Sequence, residues 1–198
     1  MTAVSRRGGL RGFTEMLRNL WLRTYRQLRR VRMESDDRTG FCIFCSIASG
    51  SDPFTEILCQ DEEVVCFRDI DPAAPHHYLV VPHEHIADCT VLRPEHTPLV
   101  VRMANMGLAA LEANGFTDFT NIRLGFHVPP RISVPHLHLH VLAPQTHMYD
   151  DAIYRCLATS HWFLTVEQLL RKLNPKDVLW SPGNGVGPSP KQPVGQNR

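Results

Sequence analysis

The sequence predicts an α+β domain with a mostly antiparallel sheet of five strands, one long helix and one or two short ones. Three observations carry this expectation. Five short runs rich in Val, Ile, Phe or Tyr end near Asp, Pro or Gly, a long helical pattern separates the third run from the fourth, and the links between neighbouring runs are short. In chain order the runs are 55–60, 64–68, 77–81, 119–126 and 136–143. The helical pattern covers 95–113, with Leu99, Met103, Met106, Ala110 and Leu111 on one side and Gly115 just beyond its end. A second helix is expected over 166–173, where Asn174 and Pro175 stop it.

The chain has 198 residues, 43% hydrophobic and 21% charged, enough to bury a sizeable core. Its longest apolar runs fall short of the roughly 18 residues that a membrane helix needs, and no secretory signal is visible. Six Cys are too sparse for a disulfide scaffold, so reduced thiols in an intracellular compartment are expected.

The net charge of +1 hides a strong asymmetry. Residues 1–32 hold nine Arg against Glu15 alone, which gives +8, whereas the remaining twelve basic and nineteen acidic residues give −7. Phe13, Leu17, Leu20, Trp21, Leu28 and Val31 recur near helical spacing in the basic segment. Three readings stay open for it: an extension with no packed role, a mitochondrial targeting sequence, or an interfacial helix for anionic lipid. The acidic body argues against nucleic acid as a partner of the domain. Residues 1–38 are read as a basic extension, 39–182 as one domain, and 183–198 as a disordered Gly- and Pro-rich tail.

Chemistry concentrates in histidine. The string Pro135-His136-Leu137-His138-Leu139-His140-Val141-Leu142 alternates imidazole with aliphatic side chains. In a strand, that period places three imidazoles on one face and the aliphatic residues on the other. A second cluster stands at His76, His77, His83 and His85. Imidazole serves as nucleophile, acid or base near neutral pH, and a cluster of it equally binds metal.

HLHLHVL resembles the His-x-His-x-His signature of the histidine triad family, and the segment from Asp69 to Ile86 is similar to that family's nucleotide-binding half. The resemblance runs from about Phe41 to Ala143. The strings FCIFC, GFHVPP and SHWFLT are similar to the family's adenosine 5′-monophosphoramidase branch, which splits P–N bonds and hydrolyses aminoacyl-adenylates. It implies that His138 is the nucleophile and forms a covalent nucleotidyl-histidine, with its other nitrogen donating to a fixed acceptor such as the His136 carbonyl. It further implies that His140 and Ser133 touch the phosphate, that His77 supports the triad, and that Asp69, Ile70, His138, Leu139 and His140 contact the nucleotide. Phe41, Phe44 and Phe67 are candidates for the base wall or simply for the core.

Cys42-Ile43-Phe44-Cys45 is a C-x-x-C pair, a spacing that also serves redox dithiols. In the family such a pair, with the His of P-x-x-H and the first triad His, holds a structural metal. The resemblance therefore implies Cys42, Cys45, His85 and His136 as Zn²⁺ ligands, with no cofactor in catalysis.

Departures narrow the activity. Ile132 stands where dinucleoside polyphosphate hydrolases carry Gln, His140 stands where nucleotidyl transferases carry Gln, and the zinc finger of the DNA-deadenylating branch has no counterpart in Cys156, His147 and His161. The expectation is a phosphoramidate hydrolase acting on purine nucleoside monophosphate derivatives, homodimeric as its relatives are. Its expected location is cytoplasmic and nuclear, or mitochondrial if residues 1–32 are a targeting sequence. The alternative is a purine-nucleotide-binding scaffold with little catalysis.

Overall fold

The computed structural model describes residues 41–148 and 162–175, together with 180 and 182. The expected extension (1–38), the tail (183–198), Cys156 and His161 lie outside the described residues. The chain divides into two units, Met1–Phe41 and Cys42–Arg198. In the first, Phe41 is exposed. The rest concerns the second.

Its described elements run α1 (Ile43–Ala48), β1 (Ile57–Gln60), β2 (Val64–Arg68), β3 (His76–Pro82), α2 (Thr97–Ala113), β4 (Arg123–His127), β5 (Leu139–Ala143), β6 (Phe163–Thr165) and α3 (Val166–Leu173). The strands form one sheet in the order β1-β2-β3-β5-β4-β6, every neighbouring pair antiparallel. The sheet thus has six strands where the sequence suggested five. The additional one, β6, is three residues long and runs straight into α3, too short for alternation to be read. The apolar run that forms α1 was likewise given no element.

Three expected strands are shorter than their apolar runs: β1 starts at Ile57 instead of residue 55, and the other two are cut back for local reasons. Residues 119–122 form a turn instead of strand, because the Asp118 carboxylate accepts from the amide and hydroxyl of Thr120 and the Asn121 amide donates back to the Asp118 carbonyl. Strand β5 begins at Leu139, so His136 and His138 precede it. Before Leu139 the Leu137 amide donates to the Ile86 carbonyl at 2.6 Å instead of joining the ladder.

Helix ends follow the sequence signals. Gly115, at φ 81°, closes α2: its amide donates to the Glu112 carbonyl and the Phe116 amide to the Leu111 carbonyl. Helix α3 opens on a reciprocal cap, with the Gln168 amide donating to Thr165 Oγ1 and the Thr165 amide to Gln168 Oε1. Among these described residues no helix is long and apolar enough to cross a membrane.

One face of the sheet makes the core. Val64, Cys66, Tyr78, Val80, Leu124, Phe126, Leu139 and Val141 pack with Met103 and Leu111 of α2 and Val166 and Leu170 of α3. Because strand side chains alternate, the intervening residues His77, Gly125, His127 and His140 are turned to the opposite face. Gly125 is required by close approach. A Cβ there would collide with the Phe163 ring and lie 2.6 Å from the Leu164 carbonyl oxygen.

Candidate active site

Among the described residues five imidazoles are buried: His77, His127, His136, His138 and His140. Hydrogen bonds with main-chain groups fix which nitrogen carries the proton in four of these rings, and His77 in turn fixes that of His140. A carbonyl only accepts, so the 2.6 Å contact between His138 Nδ1 and the His136 carbonyl places a proton on Nδ1 and leaves the lone pair on Nε2. The acceptor is the one the sequence suggested. The Phe44 ring stands edge-on to His138 at 5.3 Å and to His136 at 6.0 Å between centroids.

His77 is set from the other direction. The Ala73 amide donates to its Nδ1 at 3.0 Å, so the proton sits on Nε2. That Nε2–H faces His140 Nδ1 at 2.9 Å and Asp69 Oδ2 at 3.3 Å. As the donor to His140 it makes Nδ1 of that ring the acceptor and leaves His140 with its proton on Nε2. Asp69 Oδ1 accepts from the Asp71 amide at 2.8 Å, which anchors the carboxylate at the end of β2. The short separations among Asp69, His77 and His140 are thus those of a hydrogen-bonded chain.

Burial pushes all five rings away from the charged form. His77 falls to about 3 and His138 to about 4, in both cases through burial first, with repulsion from neighbouring imidazoles adding to it. His77 carries a consequence for stability. Unfolding returns it to an ordinary value of 6.5, so below that pH the unfolded chain binds a proton that the folded chain refuses. Stability is therefore lost as pH falls from about 6.5 towards 3. At pH 5 this residue alone costs about 2 kcal/mol relative to neutral pH. Thermal unfolding is expected to drop by several degrees between pH 7 and pH 5; an unchanged midpoint would overturn the neutral assignment.

The remaining expected site residues fall as follows. Ile70 is half-buried next to Asp69. Phe44 and Phe67 are buried with centroids 5.7 Å apart. Leu139 is fully buried in the core on the far face, so it has only main-chain atoms to offer a nucleotide. Ser133 is exposed in the loop between β4 and β5.

Cys42, Cys45, His85 and His136 come together at one edge of this face, their ligand atoms all within 4.8 Å of one another. His136 Nε2–H donates to the Pro82 carbonyl at 3.0 Å, so its Nδ1 lone pair faces the Sγ atoms of Cys42 at 3.4 Å and Cys45 at 3.5 Å. His85 Nδ1 is 3.2 Å from Cys45 Sγ. Tetrahedral Zn²⁺ with ordinary bond lengths separates sulfur and nitrogen ligands by about 3.5 Å, and the carbonyl behind His136 is the usual outer partner of a ligating imidazole. Two thiolates and two imidazoles at these distances fit that ion.

Sequence reading missed His127. It lies on β4, in register with β5 through Gly125↔His140, and its ring centroid is 4.5 Å from that of His140. Its Nδ1 donates to the Arg131 carbonyl at 3.0 Å. The strand was expected to end at Phe126, which left His127 in a loop. Alternation continued one residue further, with Leu124 and Phe126 inward and Gly125 and His127 outward, was the available signal. His127 and His138 both border a shallow recess with Cys89, Phe126 and Ile132, too narrow to hold a water.

A family model described as scavenger mRNA decapping enzyme C-term binding matches residues 41–153, more than half of the chain, and takes in both histidine clusters. The chain belongs to the histidine triad family. Within this family, the adenosine 5′-monophosphoramidase HINT3 of Danio rerio is 53% identical over 140 residues, covering 71% of this chain and 85% of the relative. HINT3 of Mus musculus is 50% identical over 143 residues, 71% of this chain and 86% of the relative. A bifunctional adenosine 5′-phosphosulfate phosphorylase/adenylylsulfatase, HINT4 of Arabidopsis thaliana, is 40% identical over 137 residues, 68% of this chain and 92% of that protein. Histidine triad membership accounts for the alternating strand, and the HINT3 relatives turn attention to P–N bond hydrolysis.

Proposed function

We propose that this chain is an adenosine 5′-monophosphoramidase that hydrolyses P–N bonds, and also acyl-adenylates, through a nucleotide bound covalently to His138. The observation that carries the reading is the 2.6 Å bond from His138 Nδ1 to the His136 carbonyl, which aims a fixed Nε2 lone pair out of a buried ring. The names of the HINT3 relatives support the same activity.

In the first half-reaction His138 Nε2 forms a bond to the α-phosphorus, the P–N bond breaks with its electron pair going to nitrogen, and the amine departs after gaining a proton. In the second, water forms the new P–O bond and the pair returns to His138. The His140 Nε2–H donates to a phosphoryl oxygen as charge builds there. Its orientation depends on His77, itself held by the Ala73 amide. Asp69 and Ile70 take the ribose and base. Cys42, Cys45, His85 and His136 hold a structural Zn²⁺ that braces α1 against the loop before β5 and takes no part in the chemistry. The family resemblance also supports a homodimer, checked by measuring the mass in solution with light scattering, and a cytoplasmic and nuclear location, checked by imaging with and without residues 1–32.

A substrate panel tests the activity. Adenosine 5′-phosphoramidate and lysyl-adenylate are expected to turn over, while diadenosine polyphosphate and adenylated DNA are not. Preference for either of the last two would overturn the reading.

A further inference from the structure

We infer that Cys59 and Cys66 form a modification site, a cross-strand dithiol that a hydroperoxide closes to a reversible disulfide between β1 and β2. The inference is independent of the covalent reading above. Three observations carry it. First, the two residues are register partners across an antiparallel pair. Such partners have Cα atoms about 4.5–5.5 Å apart, inside the roughly 4.4–6.8 Å that a disulfide spans. Second, the strand is bent to bring them together. Ile57 stands opposite Phe67, so an unbroken ladder would set Leu58 opposite Cys66; the register shift between Ile57 and Cys59 puts Cys59 there instead, and both thiols lie in the core. Third, the two are unequal in the way the chemistry requires. Cys66 is 0% exposed, whereas Cys59 is 7% exposed on β1, which has a neighbouring strand on one side only among the described strands. As hydrogen-bond donor to Cys59, the Cys66 thiol holds Cys59 below the ordinary thiol range, and the same bond, with burial, pushes Cys66 well above it.

The other described thiols are committed differently. Burial first, and Asp88 next, push Cys89 up to about 11, and its thiol donates to the His127 carbonyl at 3.6 Å. Cys42 and Cys45 turn towards His85 and His136. Neither description fits Cys59 or Cys66.

The oxidation proceeds in two displacements. The Cys59 thiolate attacks the hydroperoxide, the O–O bond breaks with its electron pair going to the leaving oxygen, and that oxygen takes a proton to become an alcohol, or water when the oxidant is hydrogen peroxide. Cys59 is then a sulfenic acid. The Cys66 sulfur attacks the Cys59 sulfur, the S–O bond breaks, and the leaving hydroxide takes the Cys66 proton as water. Two thiols are oxidised by one hydroperoxide. An external dithiol reverses the step by exchange. The product staples the short edge strand β1 to β2, whose next residue after Arg68 is Asp69.

The test treats the reduced full chain, folded, with hydrogen peroxide, alkylates the remaining thiols after unfolding, and maps the peptides. Cleavage after Glu56, Glu62 and Glu63 places Cys59 and Cys66 on separate peptides, apart from Cys42 and Cys45. The two peptides are expected to appear joined, and to separate after treatment with dithiothreitol. In Cys66→Ala, the sulfenic acid on Cys59 is expected to persist and to be captured by dimedone. Oxidation is expected to raise the thermal midpoint of wild type by several degrees and to leave that of Cys66→Ala unmoved. The wild-type map stands whether or not the variant folds. Recovery of both residues fully alkylated, at peroxide exposures that oxidise Cys42 and Cys45, would overturn the inference. So would a joined pair that forms only in unfolded protein, or Cys59 carried to the sulfinic acid in wild type without a link to Cys66.

Discussion

Replacing His138 with Ala is expected to reduce phosphoramidate turnover on the order of 10⁴-fold or more and to abolish labelling of the protein by nucleotide. The size follows from the absence of a substitute. His140 presents a proton where His138 presents a lone pair, because the chain from Ala73 through His77 determines its tautomer. Water attacking phosphorus directly would have to displace the amine in one step. His138→Asn is the cleaner variant, since its carboxamide can donate to the His136 carbonyl as Nδ1 does and so limits the disturbance in this buried position. AMP binding is expected to change little in either variant, because Asp69 and Ile70 stand apart from the ring. Equilibrium titration with AMP beside a turnover assay checks both halves. Turnover within tenfold of wild type would remove His138 from the mechanism.

The second large effect is expected at the sulfur and nitrogen cluster. Cys45 Sγ lies 3.2 Å from His85 Nδ1 and 3.5 Å from His136 Nδ1, within reach of both imidazoles of the cluster. Cys45→Ser is expected to lose close to one Zn²⁺ per chain by elemental analysis and to lower the thermal midpoint by roughly 10 °C, because metal that binds only the folded chain adds its binding free energy to stability. Activity is expected to fall as well. The carbonyl that fixes the His138 tautomer belongs to His136, whose side chain is one of the four donors. Untagged protein that is metal-free, fully stable and fully active would refute the site.

How much of this could be read beforehand depends on the range of the interactions. Strand β2 and helix α3 match their sequence boundaries because local signals set them: a β-rich run ended by Asp69, and a Thr165–Gln168 cap closed by Asn174 and Pro175. Gly115 ended α2 for the same reason. Strand β6 escaped because its identity comes from pairing with β4, 40 residues earlier by the Gly125↔Thr165 register and 36 by His127↔Phe163, and not from its own three residues. The four donors, Cys42 among them, were reachable only through family resemblance, since they come from α1 and the residue that precedes it, the segment after β3 and the loop before β5. The tautomers were beyond sequence altogether, apart from that of His138, because they depend on which carbonyl or amide each ring meets. His127 shows the intermediate case: its residue type was visible, but its place beside His140 depended on a strand continuing one residue further than expected.

The alternation around β5 has a consequence for how this gene tolerates change. Leu137, Leu139, Val141 and Ala143 sit in the core, while His136, His138 and His140 form the reactive side. Two selective pressures are thus interleaved letter by letter along eight codons. In a saturation screen scored separately for protein abundance and for turnover, odd positions would register in the first score and His138 and His140 in the second, giving two combs offset by a single residue. A one-residue deletion in this stretch would exchange the combs and fail both scores, so the segment can diverge by substitution but not by length.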